Sequence, residues 1–432
     1  MASLALVLNT AEQTLMNTQT ELATASNNIS NANTTGYARQ TAVQVENPAI
    51  STLHGWMGAG ASIKTITQTR DNYLEQQLMN ATGSDSQYTS LASQLTSIQA
   101  TASDSGSNGI SQALGNFFDS WSTLAQNPTG TSQQTGVDSA AQNLASSISS
   151  TYSQLSQINS QFSGQISDTV DQANTLINQI SQLNTDILKS SAVAQPNDLI
   201  DQRYAAMDSL AKLIPVSFST NSNGSVNVDT VQNNSTVNLI NGADPPTLIT
   251  DSSGFSGGQL GGLLTAQSDL AGYMNQFDYF AGTLITEVNK VTTASSLPDV
   301  FSGTDASTIA ANSGFLSGQS SDTVSSVAQS MSALQDQTVQ FTTDPGQPSS
   351  TLQQYLGSIQ QTIGADTQNA NNNQTYYDSL KSELQSQQQS LSGVSIDEEL
   401  VNIMKYQQIY QAAAKVVQTT STLMNTVINM VQ

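Results

Sequence analysis

The chain has 432 residues, with 32 acidic and 10 basic side chains, a formal charge of −22 and only 10% of positions charged. It has no basic footprint to displace counterions from nucleic acid or an anionic membrane, so neither is expected as a partner. Cysteine is absent and His54 is the only histidine, which excludes disulfides, thiolate chemistry, His-based triads and two-His metal sites.

His54 itself reads as a surface-loop residue beside Trp56. Residues 1–10 lack the basic start and apolar core of a secretory signal, and no run approaches the roughly 20 apolar residues of a membrane span. The expectation is a soluble chain that, if exported, travels without a cleaved signal peptide.

In chain order, residues 3–30 read as one helix. Leu4, Leu8, Ala11, Leu15, Thr18, Leu22, Ala25 and Ile29 recur at steps of four and three, the a/d seam of a coiled coil. Asparagines between 26 and 33, followed by Gly36, favour a helix end. Thr41, Val43 and Val45 alternate as a short strand would, 55–60 is a glycine-rich connection, and Ile63 and Ile66 suit a second strand. Helix is expected from 70 to 102, again around Leu114–Leu124 until Pro128, and then from 138 to 190. Pro196 breaks that run, and a shorter helix carries Leu199, Tyr204, Leu210 and Leu213. Beyond Pro215, the pairs Val216/Phe218, Val226/Val228 and Val237/Leu239 alternate between turn-forming residues like hairpin strands. Helix returns at 259–289, 295–350 reads as short strands and loops, and two helices fill 351–391 and 396–431.

The last helix carries a second seam through Ile396, Leu400, Ile403, Gln407, Tyr410, Ala414, Val417, Ser421, Met424, Ile428 and Val431. A seam cannot bury itself, so Leu4, Leu8, Leu15, Leu22 and Ile29 are expected to pack on Leu400, Ile403, Tyr410, Val417, Met424 and Ile428. A further apolar line through Ile409, Ala412, Val416, Leu423, Val427 and Met430 suggests contact with other chains. Asp397, Glu398 and Glu399 read as a helix start capped by Ser395, not as a metal site. The glycines of 257–262 lack the Lys-Ser/Thr of a phosphate loop and read as a closely packed helix start. No catalytic, cofactor or metal residue is assigned, and no cofactor is expected.

Two blocks resemble the signatures of bacterial flagellar axial proteins. The first is 26–40, with Asn28, Asn31, Asn33, Thr34, Gly36 and Tyr37. The second is 392–416, with Gly393, Val394, Asp397, Glu398, Glu399, Tyr406, Gln407, Gln408 and Tyr410. The Tyr37–Gln40 ending, the anchor 196–203 and the anchor 258–264 resemble the FlgK family of hook-associated proteins in particular. Between about 290 and 350 the chain departs from longer family members, which insert more sequence there.

The resemblance implies export through the flagellar type III apparatus and a homo-oligomeric ring of about eleven subunits. It also implies contacts with the hook protein and a second hook–filament junction protein, and a cytosolic chaperone at the C-terminal helix. Its further implication is that the terminal coiled coil orders only on assembly. A two-striped helix without neighbours does not offset its ordering entropy, which fits.

The expected fold is mainly α: an elongated helical coiled-coil rod formed by both termini, with a smaller β-rich outer domain inserted in the middle. The expected division is 1–35 plus 396–432 for polymerisation, 36–215 plus 256–292 and 351–395 for the helical rod, and 216–255 plus 293–350 for the outer domain. The expected function is a structural, non-enzymatic adaptor joining hook to filament outside the cell. The alternatives are another axial subunit, the second junction protein or a hook-type protein, and an adhesive role for the outer domain.

Overall fold

The computed structural model describes residues 2–34, 36–52, 55–103, 109–191, 195–341 and 349–431. His54 lies outside the described residues, as does the side chain of Val431. The fold is mainly α, with long helices at both ends and a small strand-containing insert in the middle. Contacts divide it into a terminal unit, Met1–Ser84, Gln172–Asp251 and Tyr377–Gln432, and a helical unit, Asp85–Asp171 and Ser252–Tyr376.

The terminal unit begins with α1 (Ala2–Ser30), which packs along α9 (Ile396–Val431). After α1 come β1 (Gln40–Glu46), the hairpin of β2 (Ile50–Thr52) and β3 (Gly55–Met57), and β4 (Ala61–Gln68). β1 pairs antiparallel with β4, from Gln40↔Gln68 to Glu46↔Ala61, with a bulge at Val43/Gln44. Later in the unit, α5 (Asn197–Leu213) leads into the antiparallel meander β5 (Val216–Thr220), β6 (Val226–Gln232) and β7 (Ser235–Asn241). Asn233 and Asn234, at φ 51° and 57°, form the two-residue β6–β7 turn, a conformation that asparagine tolerates better than most residues.

In the helical unit, α3 (Ile110–Gln126) buries Ile110, Ala113, Leu114, Phe117, Phe118, Trp121 and Leu124 along one stripe. Phe117 lies edge-on to Phe118 (5.3 Å) and to Trp121 (6.2 Å), and its ring is 5.5 Å from Phe301. Around these pack parts of α2 (Asn72–Ala102), α4 (Thr131–Ser190) and α8 (Leu352–Ser392), with α6 (Gly258–Ala294). Gly262 on α6 explains the glycine run: a Cβ there would stand 2.3 Å from the Gln87 carbonyl oxygen, so helix backbone meets helix backbone. The run is therefore a packing device, as its sequence suggests.

One expectation is corrected. Residues 295–350 are not only strands and loops. β8 (Phe301–Ser302) and β9 (Ala310–Ala311) are two residues each, and α7 (Ser321–Leu334) intervenes. Ser320 caps α7 by accepting from the Thr323 N–H, and Val324, Val327, Ala328, Met331 and Leu334 form its buried stripe. The strands between 216 and 241 fall in the terminal unit, and 293–350 in the helical unit. The meander is tied to α4 by Asn184, whose Nδ2 donates to Val226 O (2.8 Å) and Gly242 O (2.8 Å). Phe301, Phe315 and the α7 stripe belong instead to the aromatic core.

Candidate assembly site

On α1, Ala11, Thr18, Ala25 and Asn28 are buried at steps of seven, seven and three, with Leu4, Leu8, Leu15, Leu22 and Ile29 half-buried beside them. On α9, Glu399, Ala413 and Thr420 are buried and Ile403, Tyr406, Tyr410, Val417 and Met424 half-buried. Asn28 meets Glu399, and Gln19 Nε2 donates to Tyr410 Oη (3.5 Å), so the two helices run antiparallel.

The α9 seam therefore steps from Ile403 to Tyr406, not to Gln407. Leu400 and Ile428, expected in the seam, are exposed at 48% and 45%. The two step choices differ by one residue, about 100° around a helix. Close packing on Ala11, Thr18 and Ala25 selects the side with Ala413 and Thr420, although the rejected side is more apolar.

At the end of this seam, Asn28 uses both ends of its amide. Its Nδ2 donates to Gln40 O (2.9 Å) and Glu399 Oε1 (3.0 Å), and its Oδ1 accepts from Tyr37 Oη (2.8 Å) and Gln40 N (3.0 Å). Burial, then the nearby carboxylates of Asp201, Asp198 and Glu399, raise the Tyr37 phenol far above its ordinary pKa and keep it a donor. Burial followed by Glu21 and Glu399 also raises Tyr406. Arg39 Nη1 pairs with Glu398 (3.2 Å), and Arg39 N donates to Ser392 O (2.9 Å). Ser395 Oγ accepts from Glu398 N at 3.4 Å, the expected cap. Among the described residues, no group of three potential ligands could hold a metal ion.

The remaining signature residues shape the adjoining turns. Asn31 Nδ2 donates to Asn27 O (3.0 Å), and Thr34 Oγ1 donates to Asn31 Oδ1 (3.2 Å). Gly36 has φ +80° and abuts Ala205, which leaves the position to glycine. Gly393 donates its N–H to Gln389 O (3.0 Å), Val394 is half-buried, and Asn33, Asp397, Gln407 and Gln408 are exposed.

A second polar node had no distinctive signal in the sequence. Arg70 donates to Gly36 O, to Asp201 and to Glu75 Oε1 (2.9 Å), and lies 4.4 Å over the Tyr204 ring. Gln68 Nε2 joins it at Asp201 Oδ1 (2.8 Å), and Gln388 Nε2 reaches Glu75 Oε2 (2.8 Å). Burial raises the Asp201 pKa, although Arg70 and Gln68 pull it down. Arg203, buried beside Arg70, is pushed down to about 10. Its Nη1 donates to Asn184 Oδ1 (2.9 Å) and Gly224 O (2.8 Å). The 196–203 anchor thus ties the Gly36 turn to the meander. Asp201 and Arg203 are two of five charged residues on this helix, so charge alone did not single them out.

Outside the seam, α9 exposes Leu400, Val401, Met404, Val416, Leu423, Val427, Ile428 and Met430, so the second apolar line is largely uncovered. Among the described residues, no helix is long and apolar enough to cross a membrane.

Three family models match the chain. "Flagellar hook-associated protein FlgK helical domain" covers 95–297, "Flagellar basal body rod FlgEFG protein C-terminal" covers 385–430, and "Flagella basal body rod protein" covers 8–37. Flagellar hook-associated protein 1 of Bacillus subtilis is 24% identical over 502 aligned residues, covering 99% of both chains. That of Salmonella typhimurium is 26% identical over 549, covering 98% of this chain and 99% of its own. The flagellar hook junction protein FlgK of Burkholderia pseudomallei is a structural neighbour at 25% identity and a TM-score of 0.45, over 52% of this chain and 46% of that one. With the helical-domain match flanked by both terminal rod signatures, and with relatives aligned over nearly the whole length, the chain is similar throughout to the FlgK family of flagellar hook-associated proteins.

Proposed function

We propose that this chain is a structural subunit of the bacterial flagellum that joins hook to filament. It is exported to the cell exterior without a cleaved signal peptide and performs no catalysis. The observation that carries this reading is the unequal burial of α9. Its small and polar residues are sealed against α1, while Leu400, Val401, Met404, Leu423, Val427 and Met430 stand in solvent. Such a patch suits an assembling surface. Leu4, Leu8, Leu15, Leu22, Ile29, Ile403, Tyr410, Val417 and Met424 hold the paired helices, and Leu400 and Ile428 face neighbouring subunits. The partners are further copies in a ring of about eleven, the hook protein, the second junction protein and, before export, a chaperone covering α9.

A deletion strain tests this by electron microscopy with flagellin assayed in the medium. Hooks without filaments, and flagellin lost to the medium, are expected. Filaments still attached would sink the junction role.

A further inference from the structure

The terminal unit carries an apolar groove and an exposed aromatic side chain that match in chemistry and size. The groove, about 450 Å3, runs between α1 and α9, walled by Leu6, Val7, Ile409 and Val416, with Met57 at its edge. The side chain is Trp56 on β3, 76% exposed, whereas Trp121 is completely buried. Along the hairpin the pairs are Ile50↔Met57 and Ser51↔Trp56. Side chains of neighbouring strand residues point to opposite faces, so with Met57 at the groove Trp56 is directed away from it. Trp56 therefore does not serve the groove of its own chain.

We propose that Trp56 of one copy seats in the α1–α9 groove of a second copy. This rests on the reading of the chain as an assembling subunit. Large aromatics are the usual anchors of protein interfaces. Charge agrees with the pairing: Glu46 is the only charged residue between 40 and 60, and Lys405 and Lys415 on the α9 side of the groove outnumber Glu12, the one charged residue between 2 and 20 on its α1 side. Anchor and groove are different surfaces, so the contact is heterologous. Each copy gives one tryptophan and receives one, and the contact propagates into a ring or helix instead of stopping at a dimer.

The absence of cysteine makes the test direct. Ser51→Cys, on the Trp56 face, and Ala412→Cys, in the groove wall, are co-expressed as separate chains in the deletion strain. Hooks bearing filaments are isolated, oxidised and run without reductant. A disulfide-linked band at twice the 45.5 kDa chain mass is expected only when both variants are present. Such a band with either variant alone means that like faces meet, and overturns the proposal. No band from filament-bearing hooks overturns it too, while leaving the junction role intact. A second arm does not depend on cysteine: Trp56→Ala should reduce attached filaments at least tenfold and Trp56→Phe should restore them. Equal attachment in both variants refutes the anchor. Normal filaments in the deletion strain itself would remove the underlying reading, a separate outcome.

Discussion

In the helical unit the largest buried side chains are rings: Phe117, Phe118, Trp121, Phe162, Phe277, Phe280 and Phe301. The buried centre of the α1–α9 contact instead holds Ala11, Thr18, Ala25, Ala413, Thr420 and a hydrogen-bonded Asn28–Glu399 pair. Charge divides the same way. Lys290 is the only basic residue in 85–171 and 252–376, whereas the terminal unit holds Arg39, Arg70 and Arg203, two of them in ion pairs. Area buried sets stability in the first, with little angular preference. Geometry sets it in the second, because each buried amide or guanidinium is satisfied only in one arrangement.

Substitutions in each unit test that contrast. Phe117→Ala removes a fully buried ring at the centre of the aromatic cluster and should cost about 3–5 kcal/mol. Thermal unfolding followed by Trp121 fluorescence reads it, and a loss below about 1 kcal/mol would show that the cluster is not the main support. Nearly as large is Arg70→Met, which strands Glu75 and Asp201 as buried carboxylates and should cost about 3 kcal/mol or more. Its signature is faster hydrogen exchange around 36–40 and 197–204, with the helical unit unchanged. If exchange instead rises throughout the chain, the two units do not unfold separately.

Val417→Asp is smaller in stability and larger in function. A charge at this half-buried position should cost about 1–3 kcal/mol and abolish filament attachment while the aromatic core still melts normally. Swarming at the normal rate would defeat the seam assignment. The smallest effect concerns Asp269, whose pKa is raised by burial and then by the Asp366 carboxylate; Tyr273, on the same helix, donates to Asp366 at 2.6 Å. Asp278 is likewise raised by burial. For a folded-state pKa above the unfolded one, the stabilising contribution is complete below the unfolded pKa and is lost as pH rises through the folded value. The helical unit should therefore lose this contribution as pH rises from the unfolded carboxylate value of 3.8 and melt lower at neutral pH than the same unit without these shifts, opposed in part by Asp305, whose pKa hydrogen bonds from Ser307 hold low. Asp269→Asn should raise the melting temperature at pH 7 by about 2 °C and flatten this dependence.

The sequence revealed periodicity and failed where selection among near-equivalent faces mattered. Ile403, Tyr410, Val417 and Met424, seven apart, were legible as the seam because that spacing returns to one side of a helix whatever the intermediate step. Whether Tyr406 or Gln407 lay between was not legible. Hydrophobicity favoured the line with Leu400 and Ile428, and the steric fit of Ala413 and Thr420 to α1 is a property of the pair. α7 was missed because serines mask a short stripe whose partner, α3, lies some 200 residues away in sequence. The family blocks include Asn28, Gly36, Glu398 and Glu399, but give no sign that Arg70 receives the Gly36 turn.

The bond between Asn28 and Glu399 spans 371 residues. Loop closure over such a distance slows folding more than it costs stability, and it cannot begin until both partners are present. A polypeptide delivered from its first residue onward holds α1 without α9 until nearly the whole chain has arrived. Closure of this contact thus measures completeness. A product ending before Glu399 lacks all but the start of α9, and its Asn28 keeps the bonds to Tyr37 and Gln40 but has no partner helix to close on.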